Sequence, residues 1–217
     1  MSSADATAAL VARLADALRS RGATVAAAES CTGGLVAAAC TARAGSSAWF
    51  ERGVVTYSNA AKTELLGVPV ELIAAHGAVS GEVARAMAAG AIARTPASFA
   101  VAVTGIAGPD GGSAAKPVGT VWIATCARGG DADAVLLQAS GDRAAVRAQV
   151  AIQTVPTGLA ALPPSGPAIP VTATAKFAGV CAIAPAAIAR ATSPLTAPCA
   201  AITSAGTPSS SVFAAFE

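Results

Sequence analysis

Charge and proline divide this 217-residue chain near residue 150, and the division limits what each side can fold into. Of 26 charged residues only Lys176, Arg190 and Glu217 fall in 151–217, whereas 9 of the 13 prolines do. Proline removes a backbone donor and ends helices and inner strands. A stretch poor in both charge and large apolar groups has little with which to build a core. The expectation is therefore one folded domain over 1–152. It is followed by an Ala/Pro/Ser/Thr-rich, low-complexity, poorly ordered tail over 153–217 with no domain assigned. The charge-free run 191–216 is long enough to span a membrane, but Pro194, Pro198, Pro208 and the polar Thr207–Ser211 deny it the apolarity.

Before the break, apolar periodicity alternates between helix and strand. Leu10, Val11, Leu14 and Leu18 form a helical stripe within 5–20. Thr24–Ala28 reads as a buried strand, and a helix follows from Leu35 to Ala42. Gly53–Tyr57 reads as a strand, and Ser58 or Asn59 caps a helix over 60–66. Pro69 suits the start of a short helix to Ala75, and Ser80 opens one running to Arg94. Phe99–Thr104, Val118–Cys126 and Ala134–Ala139 complete five strands, the last two as a hairpin. A final helix starts in Gly141–Gln149, and Ala151–Pro156 breaks its pattern. Such alternation implies an α/β fold, helices covering a mixed sheet of about five strands.

Composition excludes several kinds of function. A net charge of +2 supplies no basic field for a nucleic-acid backbone. Five cysteines without CxxC spacing argue against a disulfide scaffold and a cysteine zinc site, and the lone His76 excludes a multi-histidine metal cluster. No metal is expected. Mean hydropathy of +0.61 comes mostly from alanine, which buries little area. Asp5 and Asp16 speak against a leader in the first helix, so the expected location is the cytoplasm, with no membrane partner.

Two loops carry the chemistry. Glu29-Ser30-Cys31-Thr32-Gly33-Gly34 joins a strand to a helix, where first-turn N–H groups favour negative charge. Ser30 is a candidate nucleophile there, with Thr32, Gly33 and Gly34 as oxyanion and substrate contacts. The alternative is that Ser30 or Thr32 merely caps the helix. Cys31 is a rival nucleophile, since a helix N-terminus lowers a thiol pKa. A serine hydroxyl needs a base. His76 lies far along the chain. Lys62 is the better candidate, provided that burial or neighbouring positive charge keeps it neutral; otherwise it is an exposed helix lysine. Tyr57 at a strand end is placed to bond the base or substrate, or is a half-buried strand aromatic. The second loop, Thr104 to Gly112, offers backbone N–H groups around Gly105 and Gly108 to an anion. Arg143 and Arg147, one turn apart, could add charge to a bound phosphate. A mobile loop and a solvated helix face are the plain alternatives.

Several motifs in order resemble the CinA carboxy-terminal domain family: A-E-S-C-T-G-G-L at 28–35, G-S-S-A-W-F-E-R-G-V-V-T-Y-S-N-A-A-K at 45–62, A-H-G-A-V-S at 75–80, A-V-T-G-I-A-G-P-D-G-G at 102–112, K-P-V-G-T-V at 116–121 and G-D-R at 141–143. The resemblance covers roughly residues 5–150. It implies a three-layer α/β/α domain, a homo-oligomer, and no organic cofactor. Stand-alone members of the PncC type hydrolyse the carboxamide of nicotinamide mononucleotide, a small nucleotide substrate, to ammonia and nicotinic acid mononucleotide in pyridine-nucleotide salvage. The family pattern places the nucleophile at Ser30 and its lysine partner at Lys62, with Tyr57 and the Thr104–Gly105 turn close by. Two other readings stand beside the amidase: a non-catalytic nucleotide-binding or regulatory module, and an inactive product with a damaged carboxy terminus. The loss of charge after residue 150 looks like translation of a GC-rich gene in a shifted frame, which the nucleotide sequence around codons 148–156 decides.

Overall fold

The computed structural model describes residues 3–162. Of the tail expected over 153–217, residues 163–217 lie outside the described residues, while 153–160 form the end of a helix. Within them the chain forms α1 (Ser3–Arg19), β1 (Val25–Glu29), α2 (Leu35–Thr41), a 3₁₀ turn (Ser46–Ala48), β2 (Phe50–Val55), α3 (Asn59–Leu66), α4 (Val70–His76) and α5 (Gly81–Ala93). It continues with β3 (Phe99–Gly105), β4 (Thr120–Ala127), β5 (Ala132–Gln138) and α6 (Arg143–Ala160). The sheet runs β2-β1-β3-β4-β5. The strands β2, β1 and β3 are parallel, and β4 and β5 are antiparallel additions joined by a hairpin.

Alternation along the inner strands sorts residues by size. Val25 and Ala27 of β1, Phe99, Val101 and Val103 of β3, and Val121 and Ile123 of β4 face one layer. There they meet Val11, Leu14 and Leu18 of α1, Val36 and Cys40 of α2, and Val146 and Val150 of α6. The opposite face shows Ala28, Ala100, Ala102 and Ala124 to Val83, Met87, Ala88 and Ala91 of α5, with Leu66 and Ile73 from α3 and α4. Alanine on that face lets α5 lie close to the sheet. The same economy operates between helices, since a Cβ at Gly90 would overlap the Leu66 carbonyl oxygen. The alanine richness of the chain thus serves close-packed layers.

Helix starts follow from their caps. Ser58 accepts from the Ala61 N–H, Ser80 from Val83 and Asp142 from Ala145. One expectation fails. The sequence suggests that the last helix gives out after Gln149, yet α6 continues through Pro156 to Ala160. Its apolar stripe explains why: Val146, Val150, Ala151 and Val155 are all buried against the sheet and α1. The hydroxyls of Thr154 and Thr157 donate to the Val150 and Gln153 carbonyls one turn back, at 2.7 and 2.8 Å. Burial of that face outweighs the cost of an interior proline, about 3 kcal/mol.

Candidate active site

The three parallel strands deliver their carboxyl ends to one edge of the sheet, where open α/β folds place ligand crevices. Ser30 follows β1, Tyr57 follows β2, and Thr104 and Gly105 end β3. Together with Cys31, Asn59, Lys62, Ala78, Asp110 and Arg143 they line an open cleft of about 270 Å³.

Ser30 and Lys62 meet at its base. Lys62 Nζ lies 3.0 Å from Ser30 Oγ, 2.9 Å from the Thr56 carbonyl oxygen and 3.4 Å from that of Tyr57. Lys62 is 1% exposed and Ser30 7%. Burial pushes the Lys62 pKa below its ordinary 10.5, and the neighbouring Cys31 opposes this only in part. Among the described residues no carboxylate forms an ion pair with Lys62. A neutral amine has two N–H bonds and one lone pair. Two carbonyls take the former, which leaves the lone pair for the serine hydroxyl. Lys62 comes from the first turn of α3, so the Ser58 cap also aims the base.

The rival thiol fares differently. Cys31 is buried, and its pKa is pushed up to about 11, chiefly by desolvation. It is a neutral thiol in the cleft wall. His76 sits on α4 with its ring near Glu82, 3.9 Å away, and does not line the cleft.

The glycine turn needs correction. Thr32, Gly33 and Gly34 are not cleft-lining residues. Gly33 and Gly34 adopt φ of 60° and 100°, left-handed values that suit glycine. The turn they make brings the start of α2 onto the Glu29 side chain. Glu29, 1% exposed, accepts from Thr32 Oγ1 at 2.7 Å, Gly34 N at 2.9 Å, Val36 N at 3.1 Å and Ala37 N at 2.8 Å. The Gly33 N–H donates to the Ser30 carbonyl. Of the N–H groups expected to greet an anion, those of Gly33 and Gly34 are therefore already satisfied within the protein. Sequence reasoning missed Glu29 because a buried carboxylate beside a nucleophile has no spacing signature. The signal that could have found it is an acidic residue just ahead of a helix start with no other capping side chain.

In the second loop the N–H groups of Ala107, Gly108, Asp110 and Gly111 donate to no backbone carbonyl, whereas those of Cys31 and Thr32 face the Cys31 sulfur. Thr104 Oγ1 donates to the Ala78 carbonyl at 2.8 Å, tying β3 to the opposite wall. Arg143 stands at the exposed rim, donating to the Gly108 carbonyl at 2.6 Å and to Tyr57 Oη at 2.9 Å. Tyr57, 61% exposed, thus reaches the arginine with its hydroxyl and the lysine only with its backbone carbonyl. Arg147 does not reach the cleft. It donates to the Cys31 and Thr32 carbonyls at 3.2 and 2.7 Å and braces the nucleophile turn. Lys116 is a second residue that the sequence left without a role. Its Nζ donates to the His76 and Val79 carbonyls, both at 2.8 Å, and holds the 76–79 wall in place.

No group of three or more His, Cys, Asp or Glu among the described residues could hold a metal ion. No described helix is long and apolar enough to cross a membrane.

Comparison with known proteins places this geometry among relatives. The model of the CinA C-terminal domain matches residues 7–160. The chain is 55% identical over 143 residues to the nicotinamide-nucleotide amidohydrolase PncC of Enterobacter agglomerans, covering 66% of this chain and 87% of that protein. It is 58% identical over 146 residues to the PncC of Pseudomonas putida, covering 66% and 89%. The crystal structure of the competence/damage inducible protein CihA from Agrobacterium tumefaciens superposes with a TM-score of 0.69 at 46% identity, covering 71% of this chain and 94% of that one.

Proposed function

Because the chain belongs to the CinA C-terminal domain family, we propose that it is an amidase converting nicotinamide mononucleotide to nicotinic acid mononucleotide and ammonia, with Ser30 as nucleophile and Lys62 as base. Relatives at 55–58% identity bear the name nicotinamide-nucleotide amidohydrolase and align over most of their length. The observation that carries the mechanism is the 3.0 Å approach of a buried lysine amine, with no carboxylate paired to it among the described residues, to a serine hydroxyl at the base of an open cleft.

Neutral Lys62 takes the proton from Ser30 Oγ as the oxygen attacks the carboxamide carbon. Negative charge develops on the carboxamide oxygen. The Cys31 N–H, which donates to no backbone carbonyl and is adjacent to the nucleophile, suits this role. Lys62, now an ammonium, returns the proton to the departing nitrogen, and ammonia leaves. Water then attacks the Ser30 ester with Lys62 again as base, giving the carboxylate and restoring the serine. At the far end of the cleft, Arg143 and the open N–H groups of 107–111 suit the phosphate. Tyr57 and Asn59 line the wall between Lys62 and the mouth, where they would bound the ring and ribose.

Ammonia release from nicotinamide mononucleotide by the purified full chain tests the reading. Ser30→Ala is expected to lower kcat by about 10³-fold or more while the fold is retained. Undiminished turnover by that variant would exclude the mechanism.

A further inference from the structure

We propose that Glu29 is the positioning residue of the Ser30–Lys62 pair: its side chain fixes the turn that carries Ser30, and its main-chain carbonyl anchors Thr56, whose own carbonyl holds Lys62. The inference rests on the reading of Ser30 as the nucleophile.

Its side chain gathers four donors: Oε2 takes Thr32 Oγ1 and the Gly34 and Val36 N–H groups, and Oε1 takes that of Ala37. The side chain closes the turn that begins at Ser30 and fixes where α2 starts. The main chain of the same residue serves the other partner. The Glu29 carbonyl accepts the Thr56 N–H at 2.7 Å, and the Thr56 carbonyl in turn accepts from Lys62 Nζ at 2.9 Å. Nucleophile turn and base are thus both hung from residue 29, while Ser30 N donates to the Val103 carbonyl of β3. A serine hydroxyl and an amine react only when aligned, and a misplacement of about 1 Å costs on the order of 100-fold.

Glutamine can keep three of the four bonds through one oxygen. Its amide nitrogen would then face the Ala37 N–H, donor against donor, and push the turn outward. The phosphate end of the cleft, with Arg143 and 107–111, touches none of these groups. The two ends should therefore respond separately.

Glu29→Gln, Thr32→Val and the double variant are made in the full chain. They are followed by ammonia release from nicotinamide mononucleotide, by the rate of Ser30 labelling with an alkyl fluorophosphonate, and by circular dichroism. In the labelling, Ser30 Oγ bonds to phosphorus, fluoride leaves and Lys62 takes the proton, so it reports alignment without the natural substrate. Glu29→Gln is expected to lower both kcat and the labelling rate by about 10- to 100-fold, with KM within about threefold of the parent. Thr32→Val, which removes one donor and keeps the carboxylate, should lower them by a smaller factor. It carries the test should Glu29→Gln fail to fold. The double variant should fall no further than Glu29→Gln, because both act through one carboxylate. A folded Glu29→Gln protein labelled at the parent's rate would overturn the proposal and leave Glu29 a helix cap. So would a fall in thermal stability with rates unchanged. Labelling that slows as expected in a protein whose parent releases no ammonia would uphold the positioning role and remove the substrate reading instead.

Discussion

At the scale of single residues, the site turns on a contrast between two neighbours that are both small, polar and buried. Ser30 has the Lys62 amine 3.0 Å from its oxygen. Cys31, adjacent, has a thiol that burial holds at about 11. In the proposed mechanism the more nucleophilic element is kept protonated while the weaker one receives a base. The same desolvation acts in the opposite sense on the Lys62 cation and lowers its pKa. The sign of the pH dependence follows. Protonated Lys62 has no lone pair and cannot accept the serine proton, so activity falls as pH drops through its pKa. With that pKa below 10.5, kcat should rise with pH and reach a plateau at a midpoint short of the ordinary lysine value. The rate of ammonia release at saturating substrate, measured across pH, checks this. An activity that keeps climbing to an ordinary lysine midpoint would mean that the amine is charged at rest.

At the scale of elements, helix α6 is the instructive case. The sequence showed most elements plainly, because caps and periodicity agree: Ser58 and Ser80 cap helices, and the glycine-rich turn at 33–34 separates β1 from α2. Ser30, Lys62, Thr104, Gly105, Gly108 and Arg143 were legible as chemistry-bearing types at element ends, and the structure brings them to one cleft. Two features were not legible. The partners of the turn N–H groups depend on where the Glu29 side chain folds, which no spacing records. The persistence of α6 depends on tertiary burial of Val150 and Val155, which overrides a local proline signal. Position 156 lies inside this helix and cannot donate to the carbonyl one turn back. Pro156→Ala should therefore stabilise the protein by about 1–3 kcal/mol, read as a higher Tm. A lower Tm would show that the proline's fixed backbone is worth more there than the missing bond.

For the molecule as a whole, the sheet divides the labour. Large residues face α1, α2 and α6 and supply most of the buried apolar volume, while alanines bring α5 close on the other side. The working edge is where the three parallel strands end, and each contributes one wall. Lys62 sits deep and Arg143 stands at the rim, with Tyr57 and Asn59 also lining the cleft. That order matches a substrate with an amide at one end and a phosphate at the other. Arg143 joins Tyr57 to the glycine loop across the mouth, and Lys116 straps the 76–79 wall.

The most direct test of the central claim is to quench the reaction with nicotinamide mononucleotide in acid and locate the acyl group by peptide mass analysis. The account predicts an adduct on Ser30 that appears with the first ammonia and is absent from Ser30→Ala. An adduct on Cys31, or turnover with no covalent adduct on the serine under any quench, would contradict it.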